Sequence, residues 1–499
     1  MAKRTKIVCT LGPAVDSEST LKGLIQAGMD VARFNFSHGT HTEHAARLER
    51  LRKVCCEVDS PCATLLDTKG PEIRTGLLES HEPVRLMAGS AIVLCEEEVE
   101  GSASKVSQTC KGLCEVVQPG TIILLDDGLI ELAVDYCEGT SIHCTVQNTG
   151  LLGEQKSINL PGVSVPLPTM TAQDKDDLRF GIEQNVDFIA ASFIRSAEGV
   201  KEIRQFIAEN GGGDIEFISK IECAQAVENI DEIIEASDGI MIARGDLGVE
   251  VPAHKVPHIQ KQIIRKCNAA SKPVITATQM LDSMTRNPRP TRAEVGDVAN
   301  AIYDGTDAIM LSGETACGHY PVPTVQMAAR IASESEPYLF DEFMLREGTN
   351  SGNVALAVGT SAVQTAKCVG ATCIVAPTMT GRTSRLVSHL RPGVPIYAVT
   401  PNEKVMRQQQ INWGVTPMLG DVQGDMLRVV NNAREAVVKH NVVKAGDTTV
   451  ITAGDPATSP QILPTKTGEP PTIAGTNVMY VVQIHEEDVA RAKGGVQNV

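Results

Sequence analysis

The feature that most constrains this chain is a recurrence. Eight short, apolar, β-branched runs appear in order, each followed by an amphipathic stretch. The runs are Lys6–Thr10, Val31–Asn35, Ala63–Asp67, Phe188–Ser192, Glu216–Lys220, Ile240–Ala243, Val274–Ala277 and Ala308–Leu311. Stretches such as Ser19–Ala27, Gly199–Asn210 and His258–Ala270 carry helical periodicity. Runs that are apolar on both faces read as buried parallel strands. Eight strand–helix units predict an α/β fold, a (β/α)8 TIM barrel.

One interval does not fit that rhythm. Strand three ends near Asp67 and strand four begins near Phe188. A helix over Asp174–Gln184 accounts for part of the gap, yet about a hundred residues remain, too many for a structureless loop. The stretch is strand-rich, with Asp127-Gly128 as a hairpin turn. Pro71 brackets it on one side and Pro161, Pro166 and Pro168 on the other. Residues 71–168 therefore read as a small inserted β-barrel, a mobile lid at the C-terminal face where barrel active sites lie. The catalytic barrel is then 1–70 with 169–339. Residues 340–499 read as a C-terminal α/β effector domain, with a helix over Val354–Val369. Its strands are expected at Cys373–Ala376, Pro395–Val399, Thr448–Thr452 and Val478–Gln483. The long connection Ala453–Thr476, rich in Gly, Pro, Thr and Ser, reads as ligand-binding or disordered.

Composition narrows the partners. The formal net charge of −16 argues against nonspecific nucleic-acid binding, which runs on clustered Lys and Arg. A local basic site for a small phosphorylated ligand remains compatible with it. No run reaches the roughly 18 apolar residues of a membrane span, and the N-terminus lacks a signal-peptide pattern. The 14 scattered cysteines, with no Cys-x-x-Cys pair, read as reduced, mostly buried thiols of a cytoplasmic protein.

Polar residues at barrel strand ends are where chemistry is expected. Arg33, Lys69, Arg74, Lys220 and Arg244 supply cations there; Asp67, Glu222, Asp246 and Glu314 supply carboxylates. Such a mixture suits a phosphorylated substrate with a divalent metal. Lys220 and Glu222 are two apart on a strand, so their side chains share a face. Asp246, at the next strand end, offers a second carboxylate, and Gly245 and Gly248 let backbone N–H groups approach an anion. A structural ion pair is the plain alternative for Lys220 and Glu222. His38, His41 and His44 read as a solvated first helical turn rather than a metal site. Arg244-Gly245-Asp246 is not read as an adhesion motif, nor Asn35-Phe-Ser37 as a glycosylation acceptor. Trp413, the one tryptophan, is assigned a packing role.

These residues carry a resemblance to the pyruvate kinase family over essentially the whole chain. The matching segments include Lys6-Ile-Val-Cys-Thr-Leu-Gly-Pro13, Asn35-Phe-Ser-His-Gly39 and Leu66-Asp-Thr-Lys-Gly-Pro-Glu-Ile-Arg-Thr-Gly76. Ser219-Lys-Ile-Glu222, Ala243-Arg-Gly-Asp-Leu-Gly248, Ala277-Thr-Gln-Met280, Asn287-Pro-Arg-Pro-Thr-Arg-Ala-Glu294 and Met310-Leu-Ser-Gly-Glu-Thr315 follow in the same order. The resemblance implies phosphoryl transfer from phosphoenolpyruvate to ADP, giving pyruvate and ATP. It implies Glu222 and Asp246 as ligands of Mg²⁺ or Mn²⁺, and Asn35, Ser37, Asp67 and Thr68 as a K⁺ site. Lys220 and Arg33 would neutralise the phosphoryl group in flight. Gly245 and Asp246 N–H groups, with Thr278, would seat the substrate carboxylate. Arg33, His38, Arg74 and Lys156 match nucleotide-binding positions. Thr278, with Ser312 and Glu314 behind it, matches a proton relay to enolpyruvate. Members of the family that need no K⁺ tend to carry a lid lysine, at a position aligning near Glu100. In the C-terminal domain, Thr378, Thr380, Gly381, Arg382 and Thr383 match a loop for a phosphorylated effector, at a helix N-terminus suited to anions. A homotetramer is expected. The alternatives are a metal-dependent barrel lyase or aldolase acting on a pyruvate-like acid, and a silent regulatory scaffold. Lys69, Arg74 and Lys156 speak against the first, and the presence of Lys220, Glu222 and Asp246 against the second.

Overall fold

The computed structural model describes residues 3–339, 353–455 and 475–493. The eight apolar runs close into one parallel barrel. Its strands are Lys6–Thr10, Val31–Asn35, Ala63–Asp67, Phe188–Ala191, Glu216–Ile221, Gly239–Ala243, Val274–Ala277 and Ala308–Leu311. Closure is made by the first strand against the eighth, with Lys6 opposite Ala308. Strand residues alternate between two cores. Val8, Val31, Leu65, Ala190, Ile218, Ile275 and Met310 fill the barrel interior. Their neighbours Ile7, Ala32, Leu66, Ile189 and Ile309 pack outward under the helices. Side chains two residues beyond an interior position face inward again. Thr10, Arg33, Asp67, Ser192, Lys220 and Ser312 are therefore the uppermost inward layer. Capping boxes begin three of the helices, at Thr40 with Glu43, Thr171 with Asp174, and Thr291 with Glu294.

The chain leaves the C-terminal end of the third strand and builds the inserted β unit. Six strands pair in the order Ile158–Asn159, Ile122–Leu125, Ile130–Glu138, Ser141–Val146, Ala91–Cys95 and Lys105–Ser107. Two isolated bridges, Arg74 to Ser157 and Thr75 to Gln108, join the two edges and round the sheet into a small barrel. The turn at Asp127-Gly128 spans four residues, because Leu125 pairs with Ile130. Asp126, Asp127 and Gly128 all have positive φ, at 53°, 53° and 83°, in keeping with Asx and Gly tolerance of the left-handed region.

The C-terminal sheet has five strands in the order Val415–Leu419, Ile396–Thr400, Cys373–Pro377, Thr448–Ala453 and Val478–Gln483. The first of these was not foreseen. Pro417 demotes the run as a strand, and the sheet tolerates it because it is an edge. The connection Ala453–Thr476 falls largely outside the described residues. Among the described residues no helix is long and apolar enough to cross a membrane.

The C-terminal domain docks under the barrel through charge pairs, largely buried at Asp187, Glu216 and Asp307 and exposed at Asp214. Asp187, Asp214, Glu216 and Asp307 sit at or just before the N-terminal ends of barrel strands. They meet Arg407 at 2.9 Å, Lys404 at 2.8 Å, Arg385, and Arg391 at 2.9 Å, respectively. Ile411 adds an apolar plug to the interior cluster. Trp413 is buried as expected, 4.8 Å from the Arg391 guanidinium. Both side chains of the Arg391–Asp307 pair are fully buried. Removing one partner strands a charge in low dielectric. Arg391→Leu is expected to lower stability by about 3–5 kcal/mol, read as a fall in the urea midpoint of the intact chain.

Candidate active site

Five strand ends converge on one buried ionic cluster. Asp67, with no exposed surface, sits between two cations. Its Oδ2 accepts Arg33 Nε at 2.7 Å, and its Oδ1 lies 3.0 Å from Lys220 Nζ. Lys220 also reaches Glu222 Oε1 at 2.9 Å and donates to Ser192 Oγ at 2.7 Å. Glu222 is held from its other side, where Oε2 accepts the Phe193 N–H at 2.6 Å. Asp246 stands in the first turn of the helix Arg244–Glu250, directly after the sixth strand.

The electrostatics follow from burial set against charge. Burial would raise Asp67, but Arg33 and Lys220 outweigh it and hold its carboxyl below the usual range. Burial would lower Lys220, but Asp67 and Glu222 outweigh it and raise its ammonium. Glu222 goes the other way: burial lifts it to about 7, with Lys220 opposing and Asp246 adding to the rise. Asp246 is raised by burial, eased by Lys220 and raised again by Asp127 of the inserted domain's turn. Arg33 and Lys220 face Asp67, Glu222 and Asp246, so the carboxyl groups outnumber the cations by one.

That surplus is the test of a divalent cation, and the residues pass it. Two carboxylates disfavoured by their own burial gain from a cation between them. Among the described residues no cluster of three or more His, Cys, Asp or Glu forms a metal cage. Two protein carboxylates with water and substrate oxygens completing the shell is the pattern of Mg²⁺ rather than of a closed structural site. The proposed K⁺ donors are oxygens too. Asn35 and Asp67 are register partners on strands two and three. Thr68 is buried, and Ser37 is exposed.

Other expected residues divide. Thr278 holds φ +69°, an uncommon conformation for a β-branched residue. Its Oγ1 accepts the Gly245 N–H at 2.8 Å and donates to the Ala277 carbonyl at 2.7 Å. That N–H, expected to meet substrate, is thus bonded to Thr278. Glu314 accepts Leu281 N–H at 3.1 Å and Ser312 N–H at 2.7 Å, tying the ends of strands seven and eight. Burial raises its carboxyl against those bonds. Ser312 Oγ is buried with no partner. Arg244, read as an open site cation, instead turns away. It holds Asp297 at 2.7 Å and the Thr278 carbonyl at 2.7 Å, fixing the seventh strand's end.

Arg74 and Lys156 come together where the inserted barrel closes. Arg74 pairs with Glu72 and the Gln155 carbonyl, and Lys156 with Asp126 at 2.9 Å. His38 is exposed on the main barrel. The solvated histidine turn is corrected: His44 is only 2 % exposed, because its ring stacks on Phe36 at 4.2 Å. Its Nε2 meets the His38 carbonyl, and His38 itself precedes the Thr40 cap. In the C-terminal loop, Thr378 Oγ1 accepts the Gly381 N–H at 2.9 Å, and Thr383 Oγ1 lies 3.0 Å from Thr476 Oγ1. Arg382 is exposed and Thr380 half-buried.

Sequence reasoning missed Ser192 and Thr10. Ser192 joins Lys220 to the Thr68 carbonyl at 2.6 Å, and Thr10 accepts Arg33 Nη1 at 2.9 Å. Both end apolar runs, on strands four and one, and the two-residue period carries them inward from Ala190 and Val8.

A closed α/β barrel with this layer is built to receive a multiply charged anion together with a metal cation. It belongs to the class of metal-assisted phosphoryl-transfer enzymes. Comparison with known families matches residues 2–325 to the pyruvate kinase barrel domain and 356–462 to the pyruvate kinase alpha/beta domain. The pyruvate kinase of Clostridium acetobutylicum is 47% identical, covering 97% of this chain and 100% of that protein. That of Sporosarcina psychrophila is also 47% identical, covering 99% and 82%. A crystal structure of a pyruvate kinase from Cryptosporidium parvum superposes with a TM-score of 0.87 at 37% identity, covering 96% of each chain. The chain belongs to the pyruvate kinase family. It transfers the phosphoryl group of phosphoenolpyruvate to ADP, with a divalent metal, and yields pyruvate and ATP.

Asp67 keeps two buried cations compatible. Asp67→Asn removes that anion and leaves Arg33 and Lys220 poorly compensated. The expected cost is about 3–5 kcal/mol, read as a lower melting temperature of the variant beside its parent.

Proposed function

We propose that Lys220 is the electrostatic centre of the transfer. The observation that supports it is a buried ammonium held between Asp67 and Glu222, with Asp246 at the next strand end. Preorganised charge aimed at a transferring phosphoryl group costs no reorganisation during the reaction. Lys220 and Arg33 neutralise the oxygens of the phosphoryl group as it moves. Glu222 and Asp246 hold Mg²⁺ or Mn²⁺, which when bound supplies Lewis-acid charge beside the substrate. The Asp246 N–H, with Gly245 and Thr278, orients the substrate carboxylate. For Gly245 this requires that substrate displace its bond to Thr278. Thr278, Ser312 and Glu314 hold the proton path to enolpyruvate, and the unpartnered Ser312 hydroxyl is available to it.

Arg33, His38, Arg74 and Lys156 bind the nucleotide, with the inserted domain as a lid that closes over it and excludes water. Its turn at Asp127 already acts electrostatically on Asp246. Asn35, Ser37, Asp67 and Thr68 hold K⁺. A phosphorylated effector binds around Thr378, Thr380, Gly381, Arg382 and Thr383. The protein works in the cytoplasm as a homotetramer. The exposed Tyr480 and Val481 on the sheet-edge strand Val478–Gln483 support contact between copies.

Two experiments test this reading. Lys220→Met keeps the stem and removes the charge. The expected result is a kcat loss of about 10²-fold or more, with substrate and metal affinity changed far less. Near-parental turnover would remove Lys220 from the role. K⁺ dependence is the second. Glu100 cannot replace a monovalent cation, so activity should be weak in K⁺-free Tris and rise strongly with KCl. A tetraalkylammonium salt at matched ionic strength should not substitute, which separates ion binding from screening.

A further inference from the structure

One group in the upper layer of the barrel has no part in the roles assigned so far. Ser192 directly follows the fourth strand and is 4 % exposed. Its hydroxyl oxygen accepts Lys220 Nζ at 2.7 Å. An ammonium has three N–H donors and accepts nothing, so the direction of that bond is fixed. The hydroxyl proton must then point elsewhere. It meets the Thr68 carbonyl at 2.6 Å, with Asp67 Oδ1 farther off at 3.4 Å.

The acceptor that orients this hydroxyl is backbone, and it is held on both sides. The Thr68 N–H bonds to the Ala190 carbonyl at 3.0 Å, and the Ser192 N–H bonds to Thr68 Oγ1 at 3.3 Å. The third and fourth strands thus aim the serine before any ligand arrives. Lys220 has one oxygen for each of its donors: Ser192 Oγ, Glu222 Oε1 at 2.9 Å and Asp67 Oδ1 at 3.0 Å. The two carboxylates have other duties. Asp67 also accepts Arg33 Nε at 2.7 Å, and Glu222 is the carboxylate proposed for the divalent metal. Ser192 is the partner of the three that carries no charge. A carboxylate in its place would cancel positive charge that a phosphoryl group in transfer needs, whereas a hydroxyl fixes the ammonium without neutralising it. Lysine ends a flexible four-carbon stem, so a fixed head removes rotamer freedom that the reaction would otherwise have to remove.

We propose that Ser192 is a positioning residue for the transfer, whose hydroxyl, oriented by the Thr68 carbonyl, anchors the Lys220 ammonium where the moving phosphoryl group needs it. The proposal rests on Lys220 as the electrostatic centre. Ser192 acts through Lys220 and touches neither substrate nor metal. Its effect therefore falls on the chemical step, and it exists only while the lysine is present.

The test is steady-state kinetics on four full-length chains: the parent, Ser192→Ala, Lys220→Met and the double variant. Ser192→Ala should lower kcat about 10-fold or more, the loss expected when a hydrogen bond to a charged group is removed. The KM values for phosphoenolpyruvate and ADP should stay within about threefold, because only an interaction that matters in the transition state is lost. Added to Lys220→Met, the same substitution should change kcat less than about twofold, since the group it positions is gone. A merely structural serine, whose loss loosens the strand ends, would lower turnover again in the Lys220→Met chain. Effects that multiply in the double variant, or a loss carried by KM, would therefore overturn the proposal. Parental turnover in Ser192→Ala beside a crippled Lys220→Met would overturn the role of Ser192 alone. Parental turnover in Lys220→Met would overturn the reading of Lys220 on which it rests. Should the alanine chain melt early, Ser192→Cys fills the site with a weak acceptor and carries the same comparison, with the same loss expected.

Discussion

One buried carboxylate organises the upper end of the barrel. Asp67 lies in a place where an unpaired charge would be costly, and it is tolerated because Arg33 reaches it from the neighbouring second strand and Lys220 from the fifth. Its two oxygens thereby fix two cations that would otherwise repel each other across a low-dielectric space. Lys220 in turn positions Glu222 and Ser192. Strands two, three, four and five are thus locked at their C-terminal ends by one network. The result is a preformed electrostatic cradle, which does not have to be assembled while a phosphoryl group is moving.

The lower end of the barrel uses the same chemistry for a different purpose. There Asp187, Asp214, Glu216 and Asp307 face arginines and a lysine of the C-terminal domain. Pairing charge at a buried interface gives little net stability, but it specifies registry, because any shift strands a charge. The two ends therefore differ in what completes them. The bottom is saturated by the chain's own cations, whereas the top keeps a surplus of negative charge. The end where carboxylates outnumber cations is the one proposed for substrate and metal.

The inserted domain connects the two kinds of order. Its closure depends on the Arg74–Ser157 and Thr75–Gln108 bridges rather than on long strands. The two cations matched to nucleotide contacts, Arg74 and Lys156, flank that short seam. Both are presently satisfied by Glu72 and Asp126, carboxylates of the same unit. On the proposed reading a nucleotide phosphate would compete for those cations, and its arrival would act on the seam that closes the inserted domain.

The sequence by itself determined the architecture, because doubly apolar runs alternating with helices need a parallel sheet covered on both faces, and eight such units are the number that closes a barrel. The two-residue period set Lys220 and Glu222 on one face of their strand, and the closed barrel brought Arg33 and Asp67 to the same layer. The sequence left Ser192 and Thr10 unremarked, since a lone hydroxyl ending an apolar run looks like ordinary strand composition. It left Val415–Leu419 out of the sheet because Pro417 is compatible with a strand only at an edge. It misjudged His44 and Arg244, whose types suggest solvent and ligand. The tertiary structure gave one a stacking partner in Phe36 and the other a carboxylate in Asp297. The Arg244 contact joins residues far apart in the chain, and the His44 stack folds the end of the second strand back onto the helix that follows it. Local periodicity fixes which way a side chain points, but only closure of the barrel and docking of the C-terminal domain decide what it meets there.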